Sequence, residues 1–295
     1  MVDYSTILII VWMFNFQPSQ TGNIQAHYMK ALLNHPLFQI KSPPQKVLVF
    51  GDSHAEQYGP LISTVMKQEI SIPTLFLTGG GCPPFPNVYS DNHPHCQDFM
   101  DRFHQVLSHY STIDTIIIAA CFNCYFIEET IYPKPKESKN SFYFKDEKGI
   151  EPFRGGDGKK RSIEKFSGLI SDLSRNYHVV IILDNPLSNQ FDPKVHIIAK
   201  KMPWNPYFAK KYPDFSLDGF TIDKVQLQLT EELQHVLGQH EVTLIDPNPI
   251  ICPSNTCKSK DANGKPIYKD ISHIRPFFVN SHFQLLNKFF VDNSD

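Results

Sequence analysis

The sequence predicts an α/β fold in which a parallel sheet is covered by helices on both faces. Three observations carry this reading. Short apolar runs rich in β-branched residues recur along the chain, as in "KVLVF" (46–50), "TIIIAA" (115–120) and "VVIIL" (179–183). Helix-length segments separate them. The runs are continuous rather than alternating, as strands buried on both faces are.

The elements follow in order. Residues 1–44 form an N-terminal segment with a short apolar stub, and its residues 17–44 are polar and Pro-punctuated with one short helix around His27–Leu33. The stub, Ile7–Phe16 ("ILIIVWMFNF"), is too short to span a bilayer as a helix. Asp3 stands where a signal peptide carries Lys or Arg, and no small-x-small cleavage site follows. A truncated membrane anchor, a membrane-skimming segment and a buried strand all fit it. From residue 45 a single domain runs to residue 295. Lys46–Phe50 is a strand and Ala55–Glu69 a helix with Leu61, Ile62, Val65 and Met66 on one side. Thr74–Leu77 and Thr115–Ala120 are strands flanking a helix at Asp98–Tyr110. Residues 128–161 mix both charges with glycines and read as a polar insertion or lid. A helix at Ser162–Asn176 feeds the strand Val179–Leu183. A loop rich in aromatics follows, with Trp204, Tyr207, Phe208, Tyr212, Phe215 and Phe220, then a helix at Asp223–Leu237 and a strand at Val242–Ile245. A closing helix is placed near Ser281–Phe290.

Composition narrows the function. With 41 % hydrophobic and 20 % charged residues the chain is globular, and 295 residues bury a substantial core. A net charge of −2 with no clustered Lys/Arg face argues against a nucleic-acid partner. Six cysteines fall as three close pairs, Cys82 and Cys96, Cys121 and Cys124, Cys252 and Cys257. That pattern suits local disulfides in an oxidising compartment. Zinc binding is the other use of paired thiols, but Cys121-x-x-Cys124 has no second Cys-x-x-Cys to complete a site. Its position at a strand end holds the two side chains poorly for bridging, so their state stays open. His93, His95, His104 and His109 show no paired-ligand spacing, and neither a metal nor a cofactor is predicted.

In parallel sheets, functional groups gather beyond the carboxyl ends of the strands. Ser53, Gly79–Gly81, Asn123 and Asp184 all fall there. Ser53 lies in Gly51-Asp52-Ser53-His54, and a serine hydroxyl becomes a nucleophile only with a base whose tautomer is fixed by a third group. Asp270-Ile271-Ser272-His273 supplies both on one tight loop: Asp270 reaches one imidazole nitrogen and leaves the other for Ser53. The oxyanion formed on attack needs preorganised donors. A backbone amide of Thr78-Gly79-Gly80-Gly81-Cys82, the Ser53 amide and the Asn123 side chain are the candidates. Each piece alone has a bland reading, a turn at Gly-Asp-Ser, a flexible triple glycine, a capping asparagine. Their joint placement in the strand order points to a catalytic serine. The Gly-x-Ser-x-Gly elbow of ordinary α/β-hydrolases is absent, since His54 and Ala55 follow Ser53.

These residues resemble the SGNH (GDSL-like) hydrolases, and more closely the C-terminal SGNH domain of membrane-bound bacterial acyltransferases that O-acetylate surface glycans. The pieces are "VLVFGDSHA", "TGGGCPPFP", "IIIAACFNCYF", "VVIILDNPLSNQFDP", "IDPNPIICPSNTC" and "PIYKDISHI", spread over residues 45–290. The resemblance implies a three-layer αβα sandwich with a flavodoxin-like, five-stranded parallel sheet. It implies bridges Cys82–Cys96 and Cys252–Cys257, with Ser53 as nucleophile, His273 as general base and acid, Asp270 as its orienting partner, and Gly81 or Gly80 in the oxyanion hole. It also implies serine-dependent transfer of an acyl group, acetyl by preference, from an acyl donor to a cell-surface glycan at the periplasmic face of a bacterial membrane, with a membrane acyltransferase as partner. Carbohydrate O-acetylesterase or carboxylesterase activity is the alternative within catalysis, and a non-catalytic glycan-binding module the alternative outside it. Where the subgroup commonly bears Arg-Trp this chain has Cys121-Phe122, and Ile274-Arg275 replaces the usual Leu-Ser after His273. The upstream membrane helices of the subgroup have only the stub as counterpart, which fits a split-gene relic, a free-standing partner domain or a secreted enzyme. The aromatics between Trp204 and Phe220 serve as core cover or as a sugar-stacking surface.

Overall fold

A computed structural model describes residues 45–67, 71–127, 142–153, 156–201 and 219–291, together with 206, 210, 212 and 216. The apolar runs of the sequence become the strands of one sheet. Val47–Gly51 (β1) pairs with Thr74–Thr78 (β2) on one side and Thr115–Ala119 (β4) on the other. His178–Ile182 (β7) and Val242–Ile245 (β9) extend it, giving the order β2-β1-β4-β7-β9 with every pairing parallel. All five residues of β1 are buried, and four of five in β4 and β7, whereas the edge strands β2 and β9 are largely half-buried. That gradient is why the central runs are the most apolar.

Side chains alternate across the sheet and define two cores. On one face Leu48, Phe50, Ile116, Ile118, Val179 and Ile181 meet the helices Phe99–His109 (α3), Gly158–Leu173 (α5) and Lys224–Leu237 (α7). Phe50 stacks on Phe103 with ring centroids 4.3 Å apart. On the other face Val47, Val49, Ile117, Ala119, Val180 and Ile182 meet Gly59–Val65 (α2) and Pro276–His282 (α9). The result is a three-layer αβα sandwich, and each fully buried Phe, Leu or Ile adds about 2 kcal/mol.

The turn after β1 sets up the site. Gly51 has φ +150°, and a Cβ there would lie 1.8 Å from the Ala119 carbonyl oxygen, so only glycine fits between β1 and β4. The chain then enters the four-residue helix Ser53–Glu56 (α1), whose N-cap Asp52 accepts the His54 amide at 2.7 Å.

Several elements differ from the sequence reading. The helix expected over 55–69 is two, α1 and α2, because Gly59-Pro60 restarts it, Pro60 being tolerated near a helix N-terminus. The polar stretch expected as an insertion or lid contains a hairpin, Tyr143–Asp146 (β5) and Gly149–Pro152 (β6), which adds to Val88–Tyr89 (β3) as a three-stranded antiparallel sheet. Fully buried Phe144 pins the hairpin to the core, and α5 starts at Gly158, inside the stretch. Its residues 128–141 lie outside the described residues. The aromatic loop holds a helix, Pro193–Lys201 (α6), and a short strand, Phe220–Thr221 (β8), paired with Thr256–Cys257 (β10). Tyr212 packs against Val195 and Ala199, and Phe220 meets the Phe191 ring at 4.9 Å, so both pin the loop. Trp204, Tyr207, Phe208 and Phe215 lie outside the described residues, as do the stub Ile7–Phe16 and the helix expected around His27–Leu33. Closing helix α9 starts at Pro276, earlier than expected, and a 3-10 segment at Gln284–Phe289 follows. Among the described residues no helix is long and apolar enough to cross a membrane.

Candidate active site

Ser53 stands at the first position of α1, just past the carboxyl end of β1. From 220 residues further along the chain, His273 brings its Nε2 to 2.8 Å from Ser53 Oγ. Its Nδ1 lies 2.9 and 3.0 Å from the two Asp270 oxygens. Only a protonated Nδ1 can donate to a carboxylate, so Nε2 is the acceptor and the serine hydroxyl donates to it. The Asp270–His273 turn is locally determined: Asp270 Oδ1 accepts the amides of Ser272 at 2.9 Å and His273 at 2.8 Å. Burial would raise the Asp270 pKa, but the His273 ring and these amides outweigh it and hold the carboxyl well below its usual range. The His273 side chain is 21 % exposed and Asp270 43 %, so the serine–imidazole contact is open to a reactant from solution.

The candidate oxyanion donors surround Ser53 unequally. The turn after β2 uses the Gly79 amide on the Gly51 carbonyl at 3.0 Å and the Cys82 amide on the Gly79 carbonyl at 2.9 Å. The amides of Gly80, Gly81 and Ser53 meet no acceptor among the described residues. Gly81 has φ +73°, and a Cβ on it would sit 3.1 Å from His93 Nε2. Asn123 is buried in the helix Phe122–Phe126 (α4), and its side-chain amide donates to the Asn185 carbonyl at 3.4 Å. That leaves a single side-chain N–H for anything else.

Sequence reasoning missed most of the residues that hold this geometry. Buried Asp52 accepts three hydrogen bonds, from the amides of His54 and Cys121 (2.7 and 2.9 Å) and from the Tyr125 hydroxyl at 2.6 Å. It therefore ties α1 to the end of β4, and burial beside it pushes the Tyr125 pKa far up. At the end of β7, Asn185 accepts from Gln57 Nε2 at 2.8 Å and donates to the Ser272 carbonyl at 2.7 Å and the Tyr268 hydroxyl at 3.1 Å. Gln57 in turn accepts the Ile274 amide at 2.9 Å. The helix bearing Ser53 and the loop bearing His273 are thus joined through one strand end. The available signal was the polar run Asp184-Asn185 closing an apolar strand.

Three disulfides are present, Cys82–Cys96, Cys121–Cys124 and Cys252–Cys257. Cys121–Cys124 forms because the chain turns into α4 there, which brings the two side chains onto one turn. Among the described residues two groups have metal-ligand spacing, His54 with Cys121 and Cys124, and His95 with Cys82 and Cys96. In both the sulfurs are bonded to each other, which consumes the thiolates a metal would need.

No curated protein matches the chain. Among solved structures it is similar to the periplasmic domain of a lipopolysaccharide acetyltransferase from Salmonella ser. Paratyphi A, with 13 % identity and a TM-score of 0.57 over 90 % of this chain and 88 % of that one. It also aligns with a lipase/acylhydrolase from Enterococcus faecalis, at 11 % identity and a TM-score of 0.40 over 85 % of this chain and 100 % of that one. At such identities the first likeness speaks for the fold. The sequence itself matches the family described as SGNH domain (fused to AT3 domains) over residues 26–281, and the chain belongs to that family.

Proposed function

We propose that the protein transfers an acyl group, acetyl by preference, to a hydroxyl of a cell-surface glycan through an acyl-Ser53 intermediate. The observation that carries this is the 2.8 Å contact between Ser53 Oγ and His273 Nε2, made by residues from opposite ends of the chain. His273 takes the Ser53 proton as Oγ attacks the donor's carbonyl carbon. The amides of Ser53 and Gly81, with Gly80 and the Asn123 side chain beside them, supply the donors for the oxyanion. His273 returns the proton to the leaving group as the carbon–oxygen bond to it breaks. An acceptor hydroxyl then attacks the acyl-serine, losing its proton to the same nitrogen, which passes it to Ser53 Oγ as the acyl–Oγ bond breaks. Asp270 keeps Nδ1 protonated throughout and stabilises the imidazolium.

The three disulfides support placement in the periplasm, where such bonds persist. The fusion to AT3 domains in the family, and the acetyltransferase named for the Salmonella structure, support a membrane acyltransferase as the partner that presents the acyl donor. The second reading is a carbohydrate O-acetylesterase, favoured by the partial exposure of the His273 side chain, which lets water reach it. A fluorophosphonate probe tests the common step: Ser53 in the folded protein becomes labelled, and an unlabelled Ser53 leaves only a glycan-binding module. Product analysis with an activated acetyl ester and an oligosaccharide separates the two enzymes. Acetylated sugar is the expected product, and free acetate with no acetylated sugar excludes the transferase.

A further inference from the structure

Directly behind the Ser53–His273 contact lies a second histidine–carboxylate couple that the acyl-transfer chemistry above does not use. His54, the residue after Ser53, places Nδ1 at 2.8 Å from Asp184 Oδ1. Both side chains are 3 % exposed. The other Asp184 oxygen accepts the Asn123 amide at 2.8 Å. His54 Nε2 is buried and has no hydrogen-bond partner among the described residues, an arrangement a merely space-filling side chain would not favour. The His54 ring lies against the His273 ring, with centroids 5.0 Å apart and planes at 59°.

We propose that His54 and Asp184 are positioning residues for the proposed acyl transfer: a buried, charge-balanced couple that backs the His273 ring and sets its proton affinity. The inference rests on His273 being the base. The couple faces Asp52 and Asp270, the two other carboxylates near His54, and His273 itself. Around them stand the phenols of Tyr58, Tyr125 and Tyr268, all pushed up by burial, and the Cys121–Cys124 sulfurs, which do not titrate. Burial works against a charge on His54, yet the Asp184 carboxylate, with Asp52 and Asp270, prevails and its pKa is raised. Burial also pushes the Asp184 pKa up, so both members favour holding the proton they share, and the pair that bears it has no net charge.

Removing one member unbalances the site. His54→Gln leaves the Asp184 carboxylate without its cation close to His273, which favours the His273 imidazolium. H54Q/D184N removes both charges together and restores the balance. The measurement is an NMR titration of the His273 ring, run beside the pH profile of fluorophosphonate labelling. In H54Q the His273 midpoint moves up by about one pH unit and the acid limb of labelling moves with it, while labelling at the optimum slows about tenfold. In H54Q/D184N the midpoint returns to the wild-type position. A midpoint that agrees between wild type and H54Q within about 0.2 units overturns the proposal, because a packing role leaves charge untouched. Should H54Q not fold, the double variant and Asp184→Asn decide. The double variant must then keep the wild-type midpoint, and a displaced midpoint there overturns the proposal equally. The titration needs no turnover, so a wild-type Ser53 that resists labelling defeats the acyl-transfer reading without touching this result.

Discussion

Two histidine–aspartate couples lie within one ring contact of each other, and they are built on opposite principles. Asp270 and His273 are three residues apart on one turn, partly exposed, and held by local amides. His54 and Asp184 are 130 residues apart, come from two strand ends, and are almost fully buried. An exposed couple gains little stability from its ion pair but can meet a reactant. A buried couple meets nothing from solution and leaves a large penalty if one member is lost. On the proposed mechanism the exposed pair handles the proton, while the buried pair carries fold stability and tunes the His273 ring it backs.

The sharpest way to break this division is to remove each part and ask which property fails. Ser53→Ala eliminates fluorophosphonate incorporation and turnover altogether. Asp270→Asn keeps the turn but loses the fixed tautomer, and acylation slows about 10³- to 10⁴-fold. Thermal and urea unfolding of both variants stay within about 1 kcal/mol of wild type. An Asp270→Asn protein that unfolds early while keeping its labelling rate would invert the assignment. Asp184→Ala fails in stability first, with labelling slowed far less than in Asp270→Asn. It strands His54 and the Asn123 amide in the interior and costs about 3–5 kcal/mol in urea unfolding.

The exposed couple was legible in the sequence and the buried one was not, for a physical reason. Asp270-x-x-His273 is a local pattern, and Gly51-Asp52-Ser53 closes an obvious strand, so both stand out in the sequence as candidates for one site. The five-stranded sheet was equally legible, since its central runs are continuous and apolar. The partners of His54, Gln57 and Asp52 are all more than 50 residues away apart from the Asp52 cap, and no periodicity encodes such pairings. The β5–β6 hairpin was hidden because it lacks apolar–polar alternation, with Ile150 exposed and Glu151 opposite Phe144. Only Phe144 betrays its core-facing side.

The disulfides give a smaller effect on the same axis. Loop closure makes Cys82–Cys96, 14 residues apart, worth about 3 kcal/mol and Cys252–Cys257, 5 apart, about 2 kcal/mol. Cys82–Cys96 anchors the loop that carries Gly80 and Gly81, so its replacement by alanines also slows Ser53 labelling. The Cys252–Cys257 double alanine lowers stability and leaves labelling as it was. Urea unfolding and labelling rates of the two double variants check this, and equal labelling in both would detach the Gly80–Gly81 turn from the site.

The pH dependence of stability is the smallest effect and separates the couples most cleanly. Asp270 has its folded pKa depressed, so its contribution is complete above the unfolded carboxylate value, near pH 4, and is lost as pH falls through the folded value. His54 has its folded pKa raised, so its contribution is complete below the unfolded histidine value, near pH 6.5, and is lost as pH rises through the folded value. The two couples thus erode on opposite sides of neutrality. Asp270 is 43 % exposed, and solvent screening keeps its share small. Urea midpoints measured from pH 3 to pH 10 resolve both limbs. Asp270→Asn flattens the acid limb, whereas H54Q/D184N flattens the alkaline limb and also removes the loss above pH 4 that burial of Asp184 causes by raising its pKa. An alkaline limb that survives in the double variant would mean that the proton held at the site's floor belongs to another group, since neither remaining side chain there can lose one.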